Sequence, residues 1–519
     1  MNVERFESHD RIVRIALAAL VLLTAILTIT PWPVGSFQDD AIYTILAKSL
    51  ATGKGYRLLN LPGEPNATHY PPGYPLVLAF IWKLRPSFPD NIVAFKFANA
   101  GFLAIASLGA YAFVRRRLDW KVPGAFALGA AGTLSIVVLL ITGVVLSEPL
   151  FMALLFPALL LAEASVDEPG GWRALRAGIA IGGMALVRTI GVALLPAALG
   201  VLLWKRRWRD SALLLAGALL LLVPWQLWVS AHAAEVPAVL GGKYGAYLPW
   251  LISGYRDGGF PFLQDVVTSN LQSLGAMFGF AFMPVLSAWP RTLAIAVITL
   301  LALGGIGLLV RSAPVTALFL LGYLGIAIAW PFEPARFLLA VWPLVLLAIS
   351  LPVLRAWQWP AADPPLRLAR AAGLTVAAAL TIGFATYNAR GFKSQWWASV
   401  QRNAGERAKP VVEWIARNTA PTDVLATDDD LIVYLYAGRQ ALPTSTFLAR
   451  ERTRPLSDEE DIAAVRAILA SYRPRFFIAS SRQGIRTASA LEKANPQELR
   501  RFSSLANALI FERVPPQAR

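Results

Sequence analysis

Two carboxylates stand side by side just after the first long apolar run of this chain: Asp39 and Asp40, opening a short segment with apolar residues at Ile42, Ile45, Leu46 and Leu50. Acids this close repel, so one of them titrates high unless a cation neutralises the pair, which suits a general base or a metal ligand. Aspartate is equally good at capping a helix and at sitting in its first turn, so on spacing alone capping and catalysis stand level. His69-Tyr70-Pro71-Pro72-Gly73-Tyr74-Pro75 is a second constellation, a proline-stiffened turn holding one of only three histidines. Read without chemistry, it is an interfacial turn with amphipathic aromatics, which membranes favour. Glu148, between Ser147 and Pro149, is an acid in an apolar run. At mid-bilayer it would cost roughly 3 kcal/mol, so it calls for a cavity or a partner. Arg188 and the run Glu333-Pro334-Ala335-Arg336 also fall at the ends of apolar stretches. Snorkelling explains any one of them, and together they suggest a polar site near one face of a membrane.

The composition says what must position these residues. The chain has 519 residues, 56% of them hydrophobic and 15% charged, against roughly 25% charged in an average soluble domain; its mean hydropathy is +0.53. That excludes an ordinary cytosolic enzyme, and 17 Trp, 13 Tyr and 26 Phe exclude a disordered chain. With no cysteine there is no disulfide framework, zinc ribbon or thiolate nucleophile. The net charge of +16 is read as holding loops on the cytoplasmic side of a membrane rather than as a nucleic-acid surface.

The length criterion gives about eleven crossings, near 12–30, 92–114, 123–142, 147–164, 174–187, 190–204, 211–230, 292–310, 314–331, 335–353 and 371–387. Basic runs at Arg115-Arg116-Arg117 with Lys121, at Lys205 to Arg209, at Arg311 and over Arg355 to Arg370 place the intervening loops in the cytoplasm. Arg14 one turn into the first run, and no small-residue cleavage site after it, predict an anchor with a cytoplasmic N-terminus rather than a signal peptide. Residues 31–90 then form a first outer loop with interfacial helices over 39–50 and 71–84, and 231–290 a long outer segment, partly embedded. Residues 1–387 read as an α-helical polytopic membrane domain, and 388–519, where charge becomes dense, as a small extracytoplasmic α/β domain. Its pattern predicts helices over 406–418, 430–436 and 458–471 and strands over 424–427, 475–480 and 508–514.

Gln38-Asp39-Asp40-Ala41-Ile42-Tyr43, then Gly53-Lys54-Gly55-Tyr56 and His69-Tyr70-Pro71-Pro72, resemble the first outer loop of GT-C glycosyltransferases of the protein O-mannosyltransferase and aminoarabinose transferase type. Ser147-Glu148-Pro149-Leu150, Arg188-Thr189, Glu333-Pro334-Ala335-Arg336-Phe337 and the outer-domain runs Glu413-Trp414-Ile415 and Asp423-Val424-Leu425 are similar to later signatures of that family. The resemblance implies inverting transfer of a sugar from a polyprenyl-phosphate donor to a lipid, glycan or protein acceptor on the outer face of the plasma (inner) membrane. It implies Asp39 as general base, with Asp40 orienting the acceptor or helping to hold a cation. His69 stands where relatives carry His or Glu before the proline pair. Some aminoarabinose transferases have Arg and Lys at the positions of Ile42 and Tyr70, so phosphate neutralisation falls here to Arg336 and Arg188 first and Lys243 third. The substrate-binding set is then Tyr43, His69, Tyr70, Glu148, Arg188, Lys243 and Arg336. A divalent metal, Mg2+ or Mn2+, is left open, with Asp40 and His69 as candidate ligands.

The rival from another class is a secondary transporter of a polar or lipid-linked solute. It calls for ionisable groups near the bilayer midplane on broken helices, and no internal repeat supports it. A lipid-linked oligosaccharide ligase or polymerase shares the donor chemistry but is expected to carry a long, arginine-rich outer loop.

Overall fold

The computed structural model describes residues 3–358 and 363–514 of the chain, so residues 359–362 of the expected Arg355 to Arg370 linker and the two extreme termini lie outside the described residues. The first apolar run forms the helix Val3–Leu27, and the loop after it carries the short helices Asp39–Ala51 and Gly73–Leu84. Both fall where the sequence places interfacial helices, because apolar periodicity over three turns makes a helix but not a span.

Among the described residues five stretches are long and apolar enough to cross a membrane unaided: Asn91–Arg117, Glu148–Asp167, Trp208–Glu235, Ala288–Ser312 and Arg367–Asn418. The expected crossing near 123–142 is two helices, Val122–Thr133 and Ile136–Gly143, bent by 52° at the break, and counting the pair as one span gives six by length and composition. Thr189–Trp204, Pro314–Ala329 and Trp342–Trp357 are apolar helices of 10–17 residues, shorter than the roughly 20 residues that span a bilayer core upright. The segment 231–290, expected as an outer stretch, is mostly one long helix, Tyr247–Phe282, broken at Gly259 (φ 60°, ψ −156°) two residues before Pro261.

Small residues bring these helices together. A Cβ on Gly178 would lie 2.0 Å from the carbonyl oxygen of Leu214, and one on Gly217 2.4 Å from that of Leu175, so the helices Gly171–Val187 and Trp208–His232 touch backbone to backbone. Such close approach is how helices gain packing energy where lipid is as apolar as the protein.

The C-terminal region holds a five-stranded sheet: β1 Leu425–Thr427, β2 Ala441–Leu442, β3 Phe476–Ala479, β4 Leu499–Ser504 and β5 Leu509–Arg513. The order is β2-β1-β3-β5-β4, with β1 parallel to β2 and β3, and β5 antiparallel to β3 and β4. Val411 and Ile415 cover one face; Val465, Leu469 and Leu491 cover the other. The helix expected over 406–418 begins earlier, at Trp396, and the one expected over 430–436 is a short helix, Asp430–Ile432, running into a π turn. The helix Pro364–Lys393 runs across the 387/388 boundary expected between the two domains.

Lys96 joins the two parts. It is 1% exposed, and its Nζ donates to the carbonyls of Thr30 (2.8 Å) and Trp32 (3.0 Å) and to Gln401 Oε1 (2.9 Å). A buried ammonium needs its three donors filled; filling them fixes the end of the first helix against the Trp396–Asn418 helix that leads into the sheet.

Candidate active site

The helix Asp39–Ala51 separates the two neighbouring acids. Asp40 is 0% exposed; its Oδ2 accepts from the backbone N–H groups of Gly35 (2.7 Å) and Ser36 (3.2 Å), and its Oδ1 from that of Phe37 (3.1 Å). It fastens the preceding turn. Burial pushes its carboxyl above the usual carboxylate range despite these bonds. Asp39, one residue earlier, points elsewhere: its Oδ1 accepts from the Tyr70 hydroxyl at 2.6 Å, and its Oδ2 meets Arg336 Nη1 at 2.7 Å. Burial works to raise its pKa as well, but the Arg336 charge, the Tyr70 hydrogen bond and Arg188 outweigh it and hold Asp39 below the usual range. The repelling pair has split, one acid ionised in the site and the other spent on a turn.

Arg336 continues the chain of charges. Its Nε donates to Glu148 Oε1 at 2.6 Å, and Arg188 Nη1 reaches the same oxygen at 2.8 Å. Arg188 also donates to Ser147 Oγ at 3.2 Å, and the Tyr43 hydroxyl lies 3.2 Å from that oxygen. Five separate stretches of sequence therefore converge: the helix at Asp39, the turn at Tyr70, the start of Glu148–Asp167, the end of Gly171–Val187 and the short helix Ala335–Leu339. Glu148 is fully buried, yet its Oε2, together with Arg188 Nε and Arg336 Nη2, has no hydrogen-bond partner among the described residues. Buried polar atoms are rarely left so. Here two guanidinium N–H groups and a carboxylate oxygen are left over in one cluster, where a ligand with acceptor oxygens and hydroxyls would satisfy them.

His69 and Lys243 sit differently. His69 is 8% exposed, its Nδ1–H donates to the Gly245 carbonyl at 2.6 Å, and burial lowers its pKa to about 4, so the ring is neutral. It stacks on Tyr247 with centroids 3.7 Å apart and on Tyr70 at 4.6 Å. Lys243 faces Asp430 Oδ1 at 3.5 Å and lines a polar cavity of about 340 Å³ with Gln38, Arg407 and Asp428 to Asp430, apart from the Arg336 group. Of the two residues considered for a metal, Asp40 receives three backbone N–H groups and His69 holds its Nδ1–H on the Gly245 carbonyl; among the described residues this leaves Nε2 free, and no group of three His, Cys, Asp or Glu side chains converges. One participant carries no signal in the sequence: Tyr247 is one aromatic among many that the fold carries to His69.

Residues 69–228 match the family model described as dolichyl-phosphate-mannose-protein mannosyltransferase. Over almost the whole chain the fold is that of ArnT from Cupriavidus metallidurans. The crystal structure bound to undecaprenyl phosphate is 14% identical, covers 98% of each chain and superposes with a TM-score of 0.52. The apo structure is 13% identical, covers 97% of this chain and 99% of that one, with a TM-score of 0.55. The chain thus shares the fold of the ArnT structures, and its residues 69–228 are similar to the mannosyltransferase family. No curated protein matches the chain. The segment matched by the family model contains His69, Tyr70, Glu148 and Arg188; Asp39 and Arg336 reach the cluster from outside it.

Proposed function

We propose that this GT-C protein transfers a sugar from a polyprenyl-phosphate donor to a hydroxyl acceptor at the outer face of the plasma (inner) membrane, with its N-terminus in the cytoplasm, its sheet domain outside and Asp39 as general base. The observation that carries this reading is the single cluster in which an ionised carboxylate adjoins two arginines with unpartnered N–H groups. The lipid named with the ArnT structure supports the donor class.

The reaction follows from that cluster. The donor phosphate takes Arg336 and Arg188, whose fixed positive charge is greatest in value where the leaving phosphate gains negative charge. Glu148 holds both guanidiniums through one oxygen and offers the other to a sugar hydroxyl. The acceptor oxygen attacks the anomeric carbon from the side opposite the phosphate. The new carbon–oxygen bond forms as the carbon–phosphate-oxygen bond breaks, the electron pair leaves with the polyprenyl phosphate, and the acceptor proton passes to Asp39. The anomeric centre inverts. In drawing on Arg336, the phosphate also loosens that residue's hold on Asp39 and makes the carboxylate a better base when the donor is in place.

The test is transfer from a radiolabelled polyprenyl-phosphate sugar pool by the purified protein, wild type beside Asp39→Asn. Transfer present in the first and absent in the second supports class and base together. Donor binding without transfer to any acceptor in either protein points instead to a transporter.

A further inference from the structure

Arg336 belongs to the short helix Ala335–Leu339, and what fixes that helix is the loop before it, residues 330–334. This loop follows the C-terminus of Pro314–Ala329, where the last carbonyls of a helix have no partner of their own. Asn270, 0% exposed in the Tyr247–Phe282 helix, supplies the donors: its Nδ2 gives hydrogen bonds to the carbonyls of Ile328 (2.9 Å) and Trp330 (2.7 Å). An amide can make those bonds only while its oxygen points the other way. That oxygen is held by a residue of the sheet domain, since Arg452 Nε and Nη2 donate to Asn270 Oδ1 at 3.0 and 2.8 Å. Arg452 Nη2 also lies 3.2 Å from Glu333 Oε2 and 3.1 Å from Ser273 Oγ. Phe447, from the same domain, packs on Phe332 with ring centroids 5.1 Å apart.

We infer that Arg452 is a positioning residue for Arg336: through Asn270 it orients the amide that caps the Pro314–Ala329 helix and so sets the 330–334 loop that delivers Arg336 to the donor phosphate. The inference rests on the role proposed above for Arg336. It makes the sheet domain part of donor recognition, although Arg452 itself meets no atom of Asp39, Glu148 or Arg188. A purely structural role would hold the domain on the membrane helices and leave the use of the donor unchanged.

Asn270→Asp separates the two. It keeps an acceptor for Arg452, and so the domain contact, but has no N–H for Ile328 and Trp330. Full-length protein in detergent is assayed for donor KM and kcat, and for the thermal shift produced by undecaprenyl phosphate alone, which needs no turnover. Misplacing a binding group by about 1 Å costs up to about 100-fold. Arg452→Ala and Asn270→Asp are therefore expected to raise donor KM about tenfold, with kcat within about threefold, and to shrink the lipid-induced shift. Arg452→Lys, which can still donate to Asn270 Oδ1, recovers part of the loss. In an Arg336→Ala background, Arg452→Ala adds nothing further.

The inference is overturned if Asn270→Asp keeps wild-type donor KM and lipid shift, or if the Arg452→Ala effect persists in full on top of Arg336→Ala. Should Arg452→Ala not fold, Arg452→Lys and Asn270→Asp decide the matter. A wild type that binds the lipid but transfers nothing counts against the transferase reading, while the lipid shift in the variants still tests the Arg452 role.

Discussion

Two regions of the molecule look alike on paper and behave in opposite ways. Asp39-Asp40 and Asp428-Asp429-Asp430 are both runs of adjacent acids at the start of a short helix with cations nearby. In the sheet domain every one of the six carboxylate oxygens is taken. Asp428 accepts from Thr444 and from the backbone N–H groups of Ser480 and Ser481, Asp429 from Arg407 and the Ser480 hydroxyl, and Asp430 from Lys243 and Tyr244. Around Asp39 the charges are also paired, but Glu148 Oε2, Arg188 Nε and Arg336 Nη2 are left over in a buried place. A dense cluster of charge is thus no guide to a site. What separates the two is hydrogen-bonding capacity left unused where water is scarce, since a filled network rigidifies a fold and an unfilled one has something to give a ligand.

The sharpest way to break this comparison is Asp39→Asn. The amide keeps the size of the side chain and an acceptor for Tyr70, but cannot take a proton at neutral pH. Transfer is expected to fall about 1,000-fold with the protein still folded, although loss of the charge facing Arg336 lowers its melting temperature, measured by product formation and by melting in detergent. A variant that retains a tenth of the activity would remove Asp39 from the role of base.

Glu148→Gln comes next. It leaves Arg188 and Arg336 without the carboxylate they share, and breaking a buried pair from one side costs about 3–5 kcal/mol. The expected outcome is a lower melting temperature together with weaker donor use. Asp428→Asn is the counterpart in the filled region. One of its two oxygens becomes a donor facing the donors it used to accept from, so unfolding of the sheet domain is expected to become easier by about 1–3 kcal/mol. Transfer at a temperature where the protein stays folded should remain within about twofold. If Asp428→Asn instead abolished transfer with stability intact, the distinction between filled and unfilled clusters would fail.

The contrast also explains how far the sequence could be read. Asp39, Tyr43, Tyr70, Glu148, Arg188 and Arg336 stand out because an ionisable or hydroxyl group in an apolar run is costly and therefore conspicuous, and the fold gathers these residues in one place. The strands at Phe476–Ala479 and Leu509–Arg513 lie within the stretches expected as strands, 475–480 and 508–514. Partnership is what stayed hidden. Nothing in the spacing says that Asp40 spends its oxygens on Gly35 to Phe37, or that Lys243 turns to Asp430, because those outcomes depend on which chain segments meet. β4 and the helix Arg482–Ala494 escaped notice because their apolar residues are few and interleaved with arginines.

The smallest effect concerns His69, which ties the unfilled region to the Gly245 turn. Burial lowers its pKa from 6.5 to about 4 in the folded protein. Between those values the unfolded chain binds a proton that the folded one refuses, so stability is present in full above pH 6.5 and is lost as pH falls toward 4. At pH 5.5 the loss amounts to about 1.4 kcal/mol. His69→Asn keeps an N–H for the Gly245 carbonyl but does not titrate. Plotted against pH, the difference in stability between wild type and variant should therefore be level above 6.5 and decline below it. A difference that stays level down to pH 5 would mean that His69 accepts a proton within the fold with Asp39 as the partner charge, and the region around the base would then be wetter than its burial indicates.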